Sequence, residues 1–335
     1  MRYRVNLKPS GRVYFAAAEE TVLEAAIRDG AALPYSCRSG ECGSCKARLL
    51  SGSVAGGEGD ALTTAERAAG FILLCRARAT SDLELLTREA HLPPVVTVCT
   101  LPARVARLER LAHDVMGVWL DIPATQRFDY RAGQYLDVLL PDGGRRSFSM
   151  AGRPVAAAAL ELHIRRVPGG RFTGHVFERM RAGDLLRLRG PFGTMFWPEE
   201  SPRPVLLLAG GTGFAPIKAM IEQAVADRTG RVLHVYRGAR TRRDLYLPAL
   251  AEAWSQMLGG FRYVPVLSEP RPEDGWQGRT GNVHEAVLAD VANLAAFEVF
   301  AAGPPPMIEA VRREFLRRGL PEEQLHCDAF EFQTE

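Results

Sequence analysis

Three stretches of different texture predict a multidomain chain of α+β and α/β type. Residues 1–90 combine strand-like alternation, one short helix and a loop with three cysteines. Residues 101–197 hold many short strand candidates punctuated by Gly and Pro, as in a small antiparallel β-barrel. Residues 198–335 alternate apolar strands with helices, as in a parallel sheet covered on both faces.

In the first stretch, Arg2–Leu7 and Arg12–Ala17 read as two strands joined by a turn at Pro9-Ser10-Gly11. Thr21–Arg28 places Val22, Leu23, Ala26 and Ile27 at helical spacing. Glu19 and Glu20 suit its N-terminal dipole, and Gly30 its stop. A strand at 46–50 follows the cysteine loop. Residues 91–100 read as a linker, because Pro93-Pro94 removes two backbone donors and favours extended chain. The barrel strands are expected at 103–108, 116–122, 135–140, 160–167 and 185–188. The third stretch is expected to hold strands at 204–209, 232–236, 261–267 and 297–302, with helices at 217–226 and 283–289.

Composition sets outer limits. The 335 residues are 47% hydrophobic and 24% charged, ordinary for a globular protein. A net charge of +3 is too small to argue for nucleic acid or an anionic membrane. No run of 18 apolar residues predicts a membrane helix, and Met1–Val13 lacks the apolar core of a secretory signal. A cytoplasmic location is therefore expected, where clustered cysteines are metal ligands more often than disulfides.

Cys37-Arg-Ser-Gly-Glu-Cys42-Gly-Ser-Cys45, then Cys75 after 29 residues, is the plant-type 2Fe–2S spacing. Four thiolates must converge on two irons, so the loop has to wrap closely. Gly40 and Gly43 allow positive φ there, and N–H groups of this loop, Ser39 and Ser44 included, can donate to sulfur. Structural zinc would show two short pairs instead. Cys99 and Cys327 are left over and read as small, partly buried side chains.

With Leu33-Pro-Tyr-Ser-Cys37 and Leu73-Leu-Cys75-Arg76 added, residues 1–90 resemble a plant-type ferredoxin domain, which implies a β-grasp fold. The rest of the chain resembles the ferredoxin–NADP reductase module. Arg146-Ser147-Phe148-Ser149 is similar to its R-x-[YF]-[ST] motif. By that resemblance Arg146 offsets flavin phosphate charge, Phe148 stacks on the isoalloxazine and Ser149 lies near the reactive N5. His163, Arg165 and Val167, then Gly170, Arg171, Phe172 and Thr173, would wrap the flavin diphosphate at a helix start. Leu188 to Gly193 resembles the turn that closes the barrel. The resemblance implies FAD rather than FMN.

Residues 205–216 read as strand, glycine turn and helix start, where a pyrophosphate can approach the backbone. Gly211, Thr212, Gly213 and Pro216 are the candidates. Ala302-Gly303-Pro304-Pro305-Pro306-Met307 is similar to the family's C-G-P-P-x-M signature, with Ala302 in place of its Cys; Gly303, Pro304 and Met307 would lie beside the nicotinamide. Asp328-Ala329-Phe330 resembles the tail that covers the flavin, which makes Phe330, with Ser149, a candidate at the reacting centre. Arg240, Arg242 or Arg243 could grip a 2′-phosphate, which would select NADPH; the resemblance favours NADH.

The resemblance implies a reductase in which electrons run from NADH or NADPH through FAD to a cluster, at roughly −400 mV for the plant type. It implies a monomer handing those electrons to a partner protein, the terminal oxygenase of a ring-hydroxylating or related monooxygenase system. The alternative acceptor is a deoxysugar dehydratase of the CDP-6-deoxy-glucoseen type. The third possibility, a carrier or redox sensor without catalysis, conflicts with the intact glycine turn.

Overall fold

A computed structural model describes residues 1–87, 97–155, 159–198 and 201–330. The chain forms two compact units, Met1–Val98 and Cys99–Glu335.

The first unit is a five-stranded mixed sheet backed by a helix. β1 (Arg2–Lys8) and β2 (Val13–Ala17) form the expected hairpin. α1 (Val22–Arg28) is capped by Thr21 and Glu24, each side chain bonded to the other's backbone N–H. Its Val22, Leu23, Ala25 and Ala26 face the core, and Gly30 follows it at φ +69°. β3 (Lys46–Ser51), β4 (Val54–Gly56), α2 (Thr64–Ala68), β5 (Phe71–Leu73), β6 (Ala77–Ala79) and β7 (Leu83–Leu86) complete the unit. The sheet order is β2-β1-β7-β3-β5, with β1 and β7 parallel and β4 paired to β6 apart from it. This is the β-grasp arrangement.

The second unit begins at β8 (Cys99–Ala112). The expected linker is therefore too long at its end: Cys99 and Thr100 already pair with Gly190 and Arg189, and residues 91–96 lie outside the described chain. β9 (Val115–Asp121), β10 (Tyr135–Leu139), β11 (Arg145–Ser149), β12 (Leu160–Arg165), α3 (Arg171–Glu178) and β13 (Leu185–Phe192) follow. The antiparallel order is β11-β10-β13-β8-β9-β12. Among the described residues β11 ends this ladder, paired with β10. The barrel closes just past it, through a Met150–Leu162 bridge and a hydrogen bond from Ala151 N to Glu161 O at 2.7 Å. Val118, Leu136, Met150, Leu162, Ile164 and Leu188 fill the interior.

The same unit continues into β14 (Val205–Gly210), α4 (Phe214–Ala226), β15 (Leu233–Ala239), α5 (Ala249–Met257), β16 (Phe261–Leu267), β17 (Arg279–Thr280), α6 (Val283–Asp290), β18 (Glu298–Gly303), α7 (Pro305–Arg317) and β19 (Leu325–Ala329). The strands are parallel in the order β17-β16-β15-β14-β18-β19. β14 is buried along its whole length, as a strand covered on both faces must be. The chain's direction of travel reverses between β14 and β18, so the crevice at their carboxyl ends is the place for a ligand. Among the described residues, no helix is long and apolar enough to cross a membrane.

Candidate functional site

Four cysteine sulfurs meet in the first unit, in two pairs. Cys45 Sγ lies 3.3 Å from Cys75 Sγ, and the thiols of Cys37 and Cys42 contact each other. Two pairs suit two irons. Gly40, at φ +100°, lets the loop turn where any other residue would be strained. The N–H groups of Ser39 and Cys42 donate to Cys37 Sγ at 3.5 and 3.4 Å. A hydrogen bond from the Cys42 thiol, against the opposing effect of burial, pulls the Cys37 thiol down to about 4. Cys327 is buried in β19, which pushes its thiol up to about 11, and Cys99 starts β8.

In the second unit, a groove of about 1740 Å³ runs along β10, β12 and α3. Arg165, Val167, Gly170, Arg171 and Phe172 all line it, and so does Arg240 from the α/β region. Gly170 caps α3, whose first N–H groups have no helical acceptor and favour an anion. Arg165 Nε donates to Asp114 at 2.7 Å, while Arg171 is exposed and 3.5 Å from Asp142. A long anionic dinucleotide fits a groove with this many cations. Phe148 packs on Phe172 with ring centroids 5.6 Å apart. Arg146 Nη1 donates to Arg145 O, and Ser147 Oγ to Asp137 at 2.7 Å.

Two side chains depart from the expected roles. The His163 ring is fully buried, and both nitrogens are engaged inside the protein, by Glu161 at 2.9 Å and Tyr246 at 3.0 Å. A ring so enclosed has nothing left to offer a diphosphate. Thr173 Oγ1 accepts from Val167 N at 3.1 Å and fastens the 167–173 loop; its backbone, rather than its hydroxyl, is what the helix start presents.

The nucleotide crevice brings together what the sequence separates by about ninety positions. Gly211 turns at φ +56° into a short 3₁₀ stretch through Thr212 and Gly213, and Pro216 sits in the first turn of α4. A Cβ on Gly213 would stand 2.0 Å from the carbonyl oxygen of Ala302, so only glycine fits. Met307 lies across the turn: a Cβ on Gly210 would come within 2.6 Å of its sulfur. Gly303 and Pro304 complete that side, and Phe330 N donates to Gly303 O at 2.9 Å. The Phe330 ring packs against the α/β core. Arg242 Nη1 donates to Asp274 O at 2.9 Å, which leaves Arg240 as the arginine of this loop that lines the groove.

Ser149 Oγ donates to Asp328 Oδ2 at 3.3 Å, both side chains buried. β18 and β19 set Asp328 beside Ala302 in register. The carboxylate partner of Ser149 was not foreseen, because 179 positions separate the two. Lys218, Glu161, Tyr246 and Arg237 were missed as well. A lone Lys inside Phe-Ala-Pro-Ile-Lys-Ala-Met-Ile was the available signal, since a buried cation requires a buried partner.

These features define an NAD(P)H-dependent oxidoreductase with iron–sulfur and flavin sites in one chain. Family models match accordingly: a 2Fe-2S iron-sulfur cluster binding domain at residues 5–80, an oxidoreductase FAD-binding domain at 102–197 and an oxidoreductase NAD-binding domain at 207–313. The chain belongs to the family of iron–sulfur flavoprotein reductases, and its cofactors are a 2Fe–2S cluster, FAD and NAD(P)H. It is 38% identical over 330 residues to the CDP-6-deoxy-L-threo-D-glycero-4-hexulose-3-dehydrase reductase of Yersinia pestis, covering 98% of this chain and 99% of that one. It is 33% identical to the reductase component 2 of terephthalate 1,2-dioxygenase from Comamonas, with 98% of each covered. The solved structure of an Amycolatopsis cytochrome P450 reductase superposes with a TM-score of 0.80 at 34% identity, over 98% of each chain.

Proposed function

We propose that this reductase draws electrons from NAD(P)H and delivers them singly to a partner enzyme. The observation that carries the reading is the pair of sulfur pairs in the same chain as the cation-lined groove and the glycine crevice. Bound FAD accepts a hydride and releases single electrons, which a 2Fe–2S cluster can take one at a time. Cys37, Cys42, Cys45 and Cys75 hold the irons. Arg146, Arg165 and Arg171 offset phosphate charge, and the α3 N-terminus receives the diphosphate. Phe148 offers its ring face to the flavin. Ser149, held by Asp328, orients the reacting edge, and Phe330 guards it. Gly211, Thr212, Gly213 and Pro216 receive the nicotinamide nucleotide against Gly303, Pro304 and Met307.

Anaerobic titration with NADH tests this: the flavin and cluster bands should bleach, and the reduced protein should give a paramagnetic signal. Colourless protein with neither would sink it. NADH is the proposed donor; a tenfold higher kcat/KM for NADPH would overturn that choice and point to Arg240. Domain boundaries at 1–90, 101–197 and 198–335 suit the family matches.

For the acceptor, relatives named as a terephthalate dioxygenase reductase component and a phenol hydroxylase P5 protein favour an oxygenase. The 38% identity to dehydrase reductases favours the second reading, a deoxysugar dehydratase. NAD(P)H-dependent turnover with purified enzymes of each kind would decide. We read the chain as a cytoplasmic monomer that meets its acceptor transiently.

A further inference from the structure

A buried ion array joins the strand that bears Ser149 to the helix after the glycine turn. Lys218, in the second turn of α4, is 5% exposed. Its Nζ donates to Ala151 O at 3.1 Å, to Glu161 at 2.8 Å and to Glu222 at 2.7 Å. All three ammonium protons are thereby spent. Ala151 lies two residues past Ser149, and Lys218 five past Gly213. The other oxygen of Glu161 accepts from His163 Nε2 at 2.9 Å, and His163 Nδ1 accepts from the Tyr246 hydroxyl at 3.0 Å. Tyr246 stands edge-on to His163 and to Phe214, and the Arg237 guanidinium covers Phe214 at 3.6 Å.

Glu161, His163 and Ala151 belong to the barrel; Lys218, Glu222, Tyr246, Phe214 and Arg237 belong to the α/β region. Apolar burial alone could hold these layers together, but it is non-directional and tolerates sliding. A three-way ammonium fixes one distance and one angle. Ion pairs this buried contribute little net stability, so their use in specifying a geometry is the better-founded explanation.

We propose that Lys218 is a positioning residue that holds the Ser149 strand and the glycine turn in the one register from which hydride can pass. The inference rests on the reductase function proposed above. Misplacement by about 1 Å can cost 10²-fold in rate with binding intact.

The test uses the full-length holoprotein and Lys218→Met, which keeps the stem and removes the donors. Amide hydrogen exchange should rise at residues 149–151 and 211–218 while the rest of the unit stays protected. In anaerobic rapid mixing, the limiting rate of flavin reduction by NADH should fall about 10- to 100-fold. FAD content and the dissociation constant for NADH should stay within about threefold of wild type, as uniform binding is untouched. A wild-type rate with unchanged exchange overturns the proposal. So does a general loss of protection with rate and affinity falling together, which would make Lys218 merely structural. Should Lys218→Met not fold, the charge-balanced Glu161→Gln/Lys218→Met carries the same expectation, and a wild-type rate there refutes it equally. Wild-type protein that neither NADH nor NADPH reduces sinks the reductase reading too; wild type that bleaches beside an unaffected variant sinks the positioning role alone.

Discussion

Cys42 is buried, its thiol against that of Cys37, so replacing it should take one iron's anchorage and leave the second unit untouched. Cys42→Ser is expected to abolish both the paramagnetic signal and cytochrome c reduction, with ferricyanide reduction kept within about twofold, since the flavin route does not need the cluster. Equal loss of both activities would contradict the route. Ser149→Ala removes the hydroxyl that donates to Asp328. Losing one such bond costs about 1 kcal/mol, so flavin reduction in rapid mixing should slow roughly fivefold while dithionite still reduces the cluster normally. The grouping of Cys37, Cys42 and Cys45 was legible because spacing on one short loop is local information. The Ser149–Asp328 and Lys218–Glu161 contacts were not, because chain reversal brings them together and no local pattern encodes their pairing.

At the level of elements, apolar periodicity located the main strands and helices, and their ends were where it ran short. β8 continues from Cys99 to Ala112, well beyond the expected 103–108, because it pairs on both edges, with β13 and β9. α7 was missed entirely: Pro304-Pro305-Pro306 reads as a break, yet proline is tolerated in a first helical turn, where its missing N–H has no acceptor anyway. Glu20, expected to serve the α1 dipole, instead pairs with Arg28 at 2.9 Å, and Glu24 completes the cap. β12 carries a pH dependence. Burial holds His163 below its ordinary value, more than Glu161 restores, and burial lowers His234 in the same sense. Burial alone would raise the Glu161 carboxyl, but the His163 hydrogen bond and the Lys218 charge outweigh it and hold it at about 2. Below pH 6.5 the unfolded chain thus binds protons that the folded chain refuses, and stability falls with pH. Glu161 adds to the fall below pH 4.5. The melting temperature should drop as pH falls from 6.5, and His163→Gln should flatten that slope above pH 5; an unchanged slope would remove His163 as its source.

On the scale of the whole molecule, the sequence shows three textures, whereas the contacts make two units, with barrel and α/β region as one. The difference lies in side chains such as Lys218 and Tyr246, whose partners Ala151, Glu161 and His163 sit in the neighbouring texture. A fragment spanning 99–335 is accordingly expected to fold, retain FAD and reduce ferricyanide with NADH, yet fail with cytochrome c. A fragment that precipitates, or that reduces both acceptors, would refute this. The end position of β11 has a practical side as well. Among the described residues no strand pairs with its second edge, and such an edge is a template for another chain. Flavin bound beside Ser149 would screen it. Stripped of flavin, the protein should self-associate on standing, visible as rising light scatter that added FAD prevents, so the prosthetic group would act as guardian of solubility besides its part in redox chemistry.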